Sequence, residues 1–158
     1  MRINNSRTIS YADLAHVPTP PPTDSWKPMP HIKVMSTVID HVTSGDLNID
    51  DIKYQIVDVK NSQYPDLFAT MYMQSDNGTY QNILGVRNSR NKRFGAAACS
   101  GSRVMVCSNG CFSGEHIISA KHTKNVESNF ADRVSYMIND VITNWGYNEA
   151  RYSGYKAT

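Results

Sequence analysis

The chain has 158 residues, 40% of them hydrophobic and 19% charged, with a formal net charge of +2. These values lie in the globular range, fit one domain over residues 1–158 and exclude a membrane span, since no apolar run approaches the roughly 20 residues one needs. A soluble protein is expected, and the opening stretch MRINNSRTISYADLAHV lacks the continuous apolar core of an export signal, which points to the cytoplasm.

In chain order, the first element predicted is a short helical turn over Ser10–Leu14, where Ser10 caps and Asp13 answers it three residues on. Residues 17–30 follow as an extended connector, because Pro18, Pro20, Pro21, Pro22, Pro28 and Pro30 each remove a backbone donor and restrict the preceding residue. Trp26 lies within it, either as an anchor onto the core or as a stacking platform for a base. Pro30 is suited to start a helix, and Ile32, Met35, Ile39 and Val42 recur at helical spacing up to a stop at Gly45. Strands are predicted over Ile52–Lys60 and Asp66–Gln74. The run Ser75-Asp76-Asn77-Gly78 then signals a hairpin into a third strand over Thr79–Val86.

Arg87–Arg93, reading RNSRNKR, breaks the apolar pattern and reads as a charged connection before Phe94–Cys99 resumes it. Arg103–Cys107 is apolar on both parities after its first residue, as a central strand with Val104 and Val106 buried would be, and Ser108-Asn109-Gly110 turns it. A further strand is expected over His116–Ala120. Phe130, Val134, Met137, Ile138 and Val141 make one stripe of a second helix, after which residues 146–158 lose all period and read as a loosely held tail. Helix, mostly antiparallel strands and helix give an α+β fold, with a sheet of four or more strands flanked by two main helices.

Charge is unevenly spread. Between Thr79 and Asn125 the cations Arg87, Arg90, Lys92, Arg93, Arg103, Lys121 and Lys124 face the single acid Glu115, a net +6, while the rest of the chain carries −4. Such a concentration points to a polyanionic or phosphorylated partner. Closely spaced guanidinium and ammonium groups neutralise successive phosphates, amides and hydroxyls add hydrogen bonds to them, and Phe94, Tyr80 or Trp26 supply rings for stacking on bases. Three cysteines, Cys99, Cys107 and Cys111, are an odd set without an export signal and read as reduced thiols. Cys107 and Cys111 precede His116 and His122, but without paired CxxC knuckles no metal or other cofactor is implied.

The motifs Pro20, Trp26, Pro30 and His31, LGVRNS at Leu84–Ser89, SRVMVCSNGCFSGE at Ser102–Glu115 and KHT at Lys121–Thr123 together resemble a phage- and plasmid-borne family classed as a domain of unknown function, number nine-three-two. The resemblance covers about Val17 to Lys124. It departs from the family pattern at Ser108 and near Asn91, where acidic residues are expected, and at the C-terminus, where members run longer. What it implies is a mobile-element origin and expression in a bacterial cytoplasm.

Three functions follow as expectations. The first is a nucleic-acid-binding protein favouring single-stranded DNA in replication or recombination, without a catalytic residue and as a homo-oligomer. Its contact set is Arg87, Asn88, Arg90, Lys92, Arg93, Arg103, Lys121, His122 and Lys124, with Asn88 and His122 included because they sit beside the cations within the resembling motifs. The order of elements is also similar to the core of phage single-strand annealing proteins, an analogy of fold alone. The second is a small phage-type inhibitor of a host defence or other host protein. The third is an enzyme pairing Cys107 or Cys111 with His116 or His122, which requires a thiolate beside an oriented base.

Overall fold

A computed structural model describes residues 6–45, 47–74, 81–89, 95–101, 105–106, 112–113 and 116–156. Its backbone forms β1 (Ser6–Ile9), α1 (His31–Ser44), β2 (Asn48–Val57), β3 (Asp66–Gln74), β4 (Gln81–Asn88), β5 (Ala96–Gly101), β6 (Met105–Val106), β7 (Phe112–Ser113), β8 (His116–Ala120) and α2 (Val126–Lys156). Six strands join in the order β1-β2-β3-β4-β5-β8, every neighbouring pair antiparallel, and β6 pairs with β7 in a separate ladder. With two main helices this is the expected α+β class.

The helices cover one face of the sheet. Strand alternation sends Tyr54, Ile56, Leu67, Ala69, Met71, Leu84, Val86, Ala96 and Ala98 to that face, where they join Val34, Met35, Val38 and Val42 of α1 and Phe130, Val134, Met137, Ile138 and Val141 of α2 in one buried cluster. In α1 the buried stripe is His31, Val34, Met35, Val38 and Val42, whereas Ile32 and Ile39, expected at its centre, are half-buried at its margins. Both sets satisfy helical spacing; the sheet beneath selects between them. Gly45 ends α1, and a side chain there would meet Ile142 Cδ1 at 2.9 Å, so the missing Cβ lets the helices approach.

β3 lies where the sequence puts it, and β8 likewise. Other elements differ from expectation, each for a physical reason. β1 was not expected; its four residues show no alternation, with only Ser6 and Ile9 at its two ends half-buried. β2 begins at Asn48 rather than Ile52, because a bulge between Ile49 and Asp51 absorbs an irregularity that masks its alternation. β4 runs on through Arg87 and Asn88, so these two belong to a strand and not to a charged connection. Of the stretch expected as a central strand, the described residues Met105–Val106 pair with Phe112–Ser113 in the separate ladder, and the central places among the described strands go to β3 and β4. A short apolar run is equally compatible with a small ladder.

The turns at 75–78 and 108–110, and the expected burial of Val104 and Val106, lie outside the described residues and side chains. α2 continues to Lys156, where a loosely held tail was expected from 146; loss of an apolar stripe argues against packing, not against helix, which propagates cheaply once nucleated. The turn at Ala12–His16 is 3-10, with Asp13 N–H donating to Ser10 Oγ at 3.2 Å and Ser10 N–H to Asp13 Oδ2 at 3.5 Å, the reciprocal cap expected.

Candidate functional site

The chain converges at one end of the sheet, where Asn88 closes β4, Ala96 opens β5 and Ala120 closes β8 in register. Gly95 sits against Ala120 so closely that a Cβ would lie 1.9 Å from the Ala120 carbonyl oxygen, so only glycine permits this crossing. Over this end passes the last part of the connector. Thr23 N–H donates to Trp26 O at 2.8 Å and Trp26 N–H to Thr23 Oγ1 at 3.1 Å, folding it into a turn instead of a continuous extended segment. Lys27 N–H then donates to His122 O at 2.8 Å.

Two histidines and an asparagine fix Met29 inside. Asn88 is fully buried because it shares its strand face with Leu84 and Val86. Its Nδ2 donates to Met29 O and to His31 Nδ1, both at 2.9 Å, and His31 Nε2–H donates to Pro65 O at 2.8 Å. Met29 N–H donates to His122 Nδ1 at 3.2 Å, and His122 Nε2–H donates to Ser89 O at 3.1 Å. An amide nitrogen and a backbone N–H can only donate, and a carbonyl can only accept, so each ring is neutral with its proton on Nε2.

The expected contact set therefore divides. Asn88 and His122 are turned inward, 0% and 3% exposed, and hold the fold together; they leave the set of groups available to a phosphate. The register explains the error for Asn88, and the turn after β8 explains it for His122. Lys121 and Lys124 are exposed in that turn, just before the N-terminus of α2. Lys27, outside the expected set, comes in from the connector and lines with Lys124, Asn125, Glu127 and Ser128 a cleft of about 440 Å³. Among the described residues none of these three lysines has an ion-pair partner. Arg87 is half-buried on the opposite face of the sheet, across from Phe68 and Ala97. Arg90, Lys92, Arg93 and Arg103 lie outside the described residues. The residues flanking the first three are described: Ser89 N–H donates to Gly95 O at 3.5 Å, and Ser89 O is the carbonyl bonded by His122.

Beside Arg87 on that face, Cys99 is buried, and burial pushes its thiol up to about 12, outweighing the hydrogen bond from Gly85 and the charge of Arg87, which both lower it. A thiol so held stays protonated and unreactive at neutral pH. Cys107 and Cys111 lie outside the described residues, while His122, one of the bases considered for them, has both ring nitrogens committed to backbone. No group of three or more metal-ligating side chains occurs among the described residues. No helix of the described residues is long and apolar enough to cross a membrane.

A second cleft, of about 410 Å³, lies at the opposite edge of the sheet, between β1, the 3-10 turn and residues 62–65. Its floor is Ile9, Val17, Ile56 and Pro65, and its charges answer each other: Arg7 Nη1 meets Asp58 Oδ2 at 3.1 Å, and Asp13 is the cap of its own turn.

No family model matches the chain, and comparison with curated proteins and with solved structures likewise gives no match.

Proposed function

We propose that the protein binds nucleic acid, preferring single strands, through the cationic end of its sheet, and does so without hydrolysing it. The observation that carries this reading is the meeting of Lys27 and Lys124, from two distant segments, on one cleft at the N-terminus of α2, with Lys121 exposed in the turn that leads into it. Unpaired ammonium groups and the positive end of a long helix both attract phosphate, and each contact releases counterions. A patch of this size grips few phosphates, so a homo-oligomer, which multiplies contacts along one strand, completes the reading. The resemblance to a mobile-element family supplies its setting, replication or recombination of DNA in a bacterial cytoplasm.

The test is a titration of labelled single-stranded and duplex DNA of one sequence over several salt concentrations. Log affinity for the single strand is expected to fall linearly with log salt, by about 0.7 per contacted phosphate, and changing Lys27, Lys121 and Lys124 together to Ala should flatten the slope. Absence of binding to either polymer at low salt, where attraction is strongest, overturns the reading and turns attention to a host protein as target.

A further inference from the structure

The connector is held over the sheet end by Lys27 N–H on His122 O and by both polar atoms of the Met29 backbone, and the two Met29 bonds each depend on a neutral imidazole. Met29 N–H is accepted by His122 Nδ1. Met29 O is held by Asn88, whose amide is oriented by handing its second hydrogen to His31 Nδ1. We propose that His31, His122 and Asn88 form an acid-sensitive latch that holds residues 23–30 down when both rings are neutral and releases them when the rings are protonated.

Protonation places a hydrogen on Nδ1 of each ring. At His122 that hydrogen meets the Met29 N–H, donor against donor, and the bond is lost. At His31 it meets the Asn88 NH2 group, but here a second arrangement exists. Asn88 Oδ1 is buried and has no hydrogen-bond partner among the described residues. Turning the amide over brings Oδ1 to His31 and satisfies the new donor, at the cost of setting Oδ1 against Met29 O, acceptor against acceptor. The orphan oxygen thus gives Asn88 two discrete states, one that grips the connector and one that answers a charged His31.

The surroundings oppose the charged state. His31 is the first residue of α1 and His122 lies in the turn leading into α2, so both rings sit near positive helix ends. The charged groups carried by the segments around them are Asp24 and Lys27 on the connector, Lys33 on α1, Asp66 on β3, Arg87 on β4, Lys121 and Lys124 in the turn, and Glu127 on α2. Among these groups cations outnumber acids. Both rings are almost wholly buried, so water cannot solvate an imidazolium while the latch is closed. Release moves Lys27 away from Lys124 and takes the cationic end apart. That consequence rests on the proposed nucleic-acid reading; the latch itself does not.

Trp26 reports on the latch without any ligand, once Trp145→Phe leaves it as the single tryptophan. Its emission is followed from about pH 7.5 down to about pH 5, bracketing the ordinary imidazole range, with far-ultraviolet circular dichroism as a check that the helices persist. The expected result is a red shift of the emission maximum before any loss of helix. His31→Asn with His122→Asn keeps an acceptor near each Nδ1 position but no proton to gain, and should abolish the shift. A shift that persists in this double variant overturns the latch. Should the double variant fail to fold at neutral pH, imidazole nitrogen resonances of the wild type decide: both rings should hold their proton on Nε2 at about pH 7.5 and gain the second proton together with the Trp26 change. Rings that become charged while Trp26 emission stays fixed overturn it equally.

Discussion

The two clefts at opposite edges of the sheet, one beside β1 and one beyond β8, are nearly equal in size, about 410 and 440 Å³, and both have charged rims, yet they differ in what those charges have left to do. At the β1 end Arg7 is spent on Asp58 and Asp13 on its own cap. At the α2 end the cations Lys27 and Lys124 share the cleft with one acid, Glu127, which lies in the first turn of α2, where it answers the positive end of the helix. Counting charges along the chain marks the 79–125 window but leaves Lys27 outside it; pairing charges in space separates a structural rim from one whose lysines have no ion-pair partner among the described residues. Burial divides the polar groups the same way. Asn88 and His122 are spent on Met29, and this is what leaves Lys27 where it is.

The comparison is broken most severely at Gly95. Gly95→Val drives a side chain into the backbone of Ala120, and overpacking against an unyielding neighbour should cost about 3 kcal/mol or more in urea unfolding, with the cationic end lost and the β1 end still formed in any folded fraction. Next comes Asn88→Ala, which leaves the Met29 carbonyl and His31 Nδ1 buried without their donor and should cost about 2 kcal/mol by the same measurement.

A smaller effect belongs to the outer face of the sheet. Cys99 is raised from 9.0 to about 12, so its thiol stays neutral in the fold while an unfolded chain ionises near 9; stability is full below that and falls as pH rises through the interval up to about 12. Cys99→Ala should flatten this alkaline loss, and Tyr54, also raised to about 12 from 10.0 by burial and by Tyr11, should account for part of what remains. Mass spectrometry after alkylation at neutral pH should find Cys99 unmodified in the folded protein. The smallest effect is expected at Arg7→Ala: the Arg7 and Asp58 side chains are 59% and 60% exposed, and a pair so wetted contributes less than about 1 kcal/mol.

Much of the fold was legible because its periods are long. β3, the antiparallel pairing of β3 with β4, and the apolar stripe of α2 follow from alternation and helical spacing. What was not legible rests on contacts between distant residues. Met29 and His122 are 93 positions apart, and nothing near Lys27 in the sequence marks it as a neighbour of Lys124. Asn88 is a different case, since Leu84, Val86 and Asn88 share a parity and the alternation already turned it inward; its place beside a cation in RNSRNKR hid that. The same uniform apolar character that suggested a central strand at Arg103–Cys107 could not reveal that Met105–Val106 pairs with β7 in a ladder apart from the main sheet.

The account's central claim is that unspent cations at the α2 end meet phosphate, and the most direct measurement sets the two ends against each other. Single-stranded DNA is titrated at several salt concentrations with the wild type, with Lys27, Lys121 and Lys124 changed together to Ala, and with Arg7→Ala. The triple variant should lose affinity and flatten the log–log salt slope by about 2, from roughly 0.7 for each contact removed, with its unfolding midpoint unchanged, while Arg7→Ala leaves the slope where it was. A triple variant that keeps both the affinity and the slope of the wild type, or an Arg7 variant that loses as much, would contradict it.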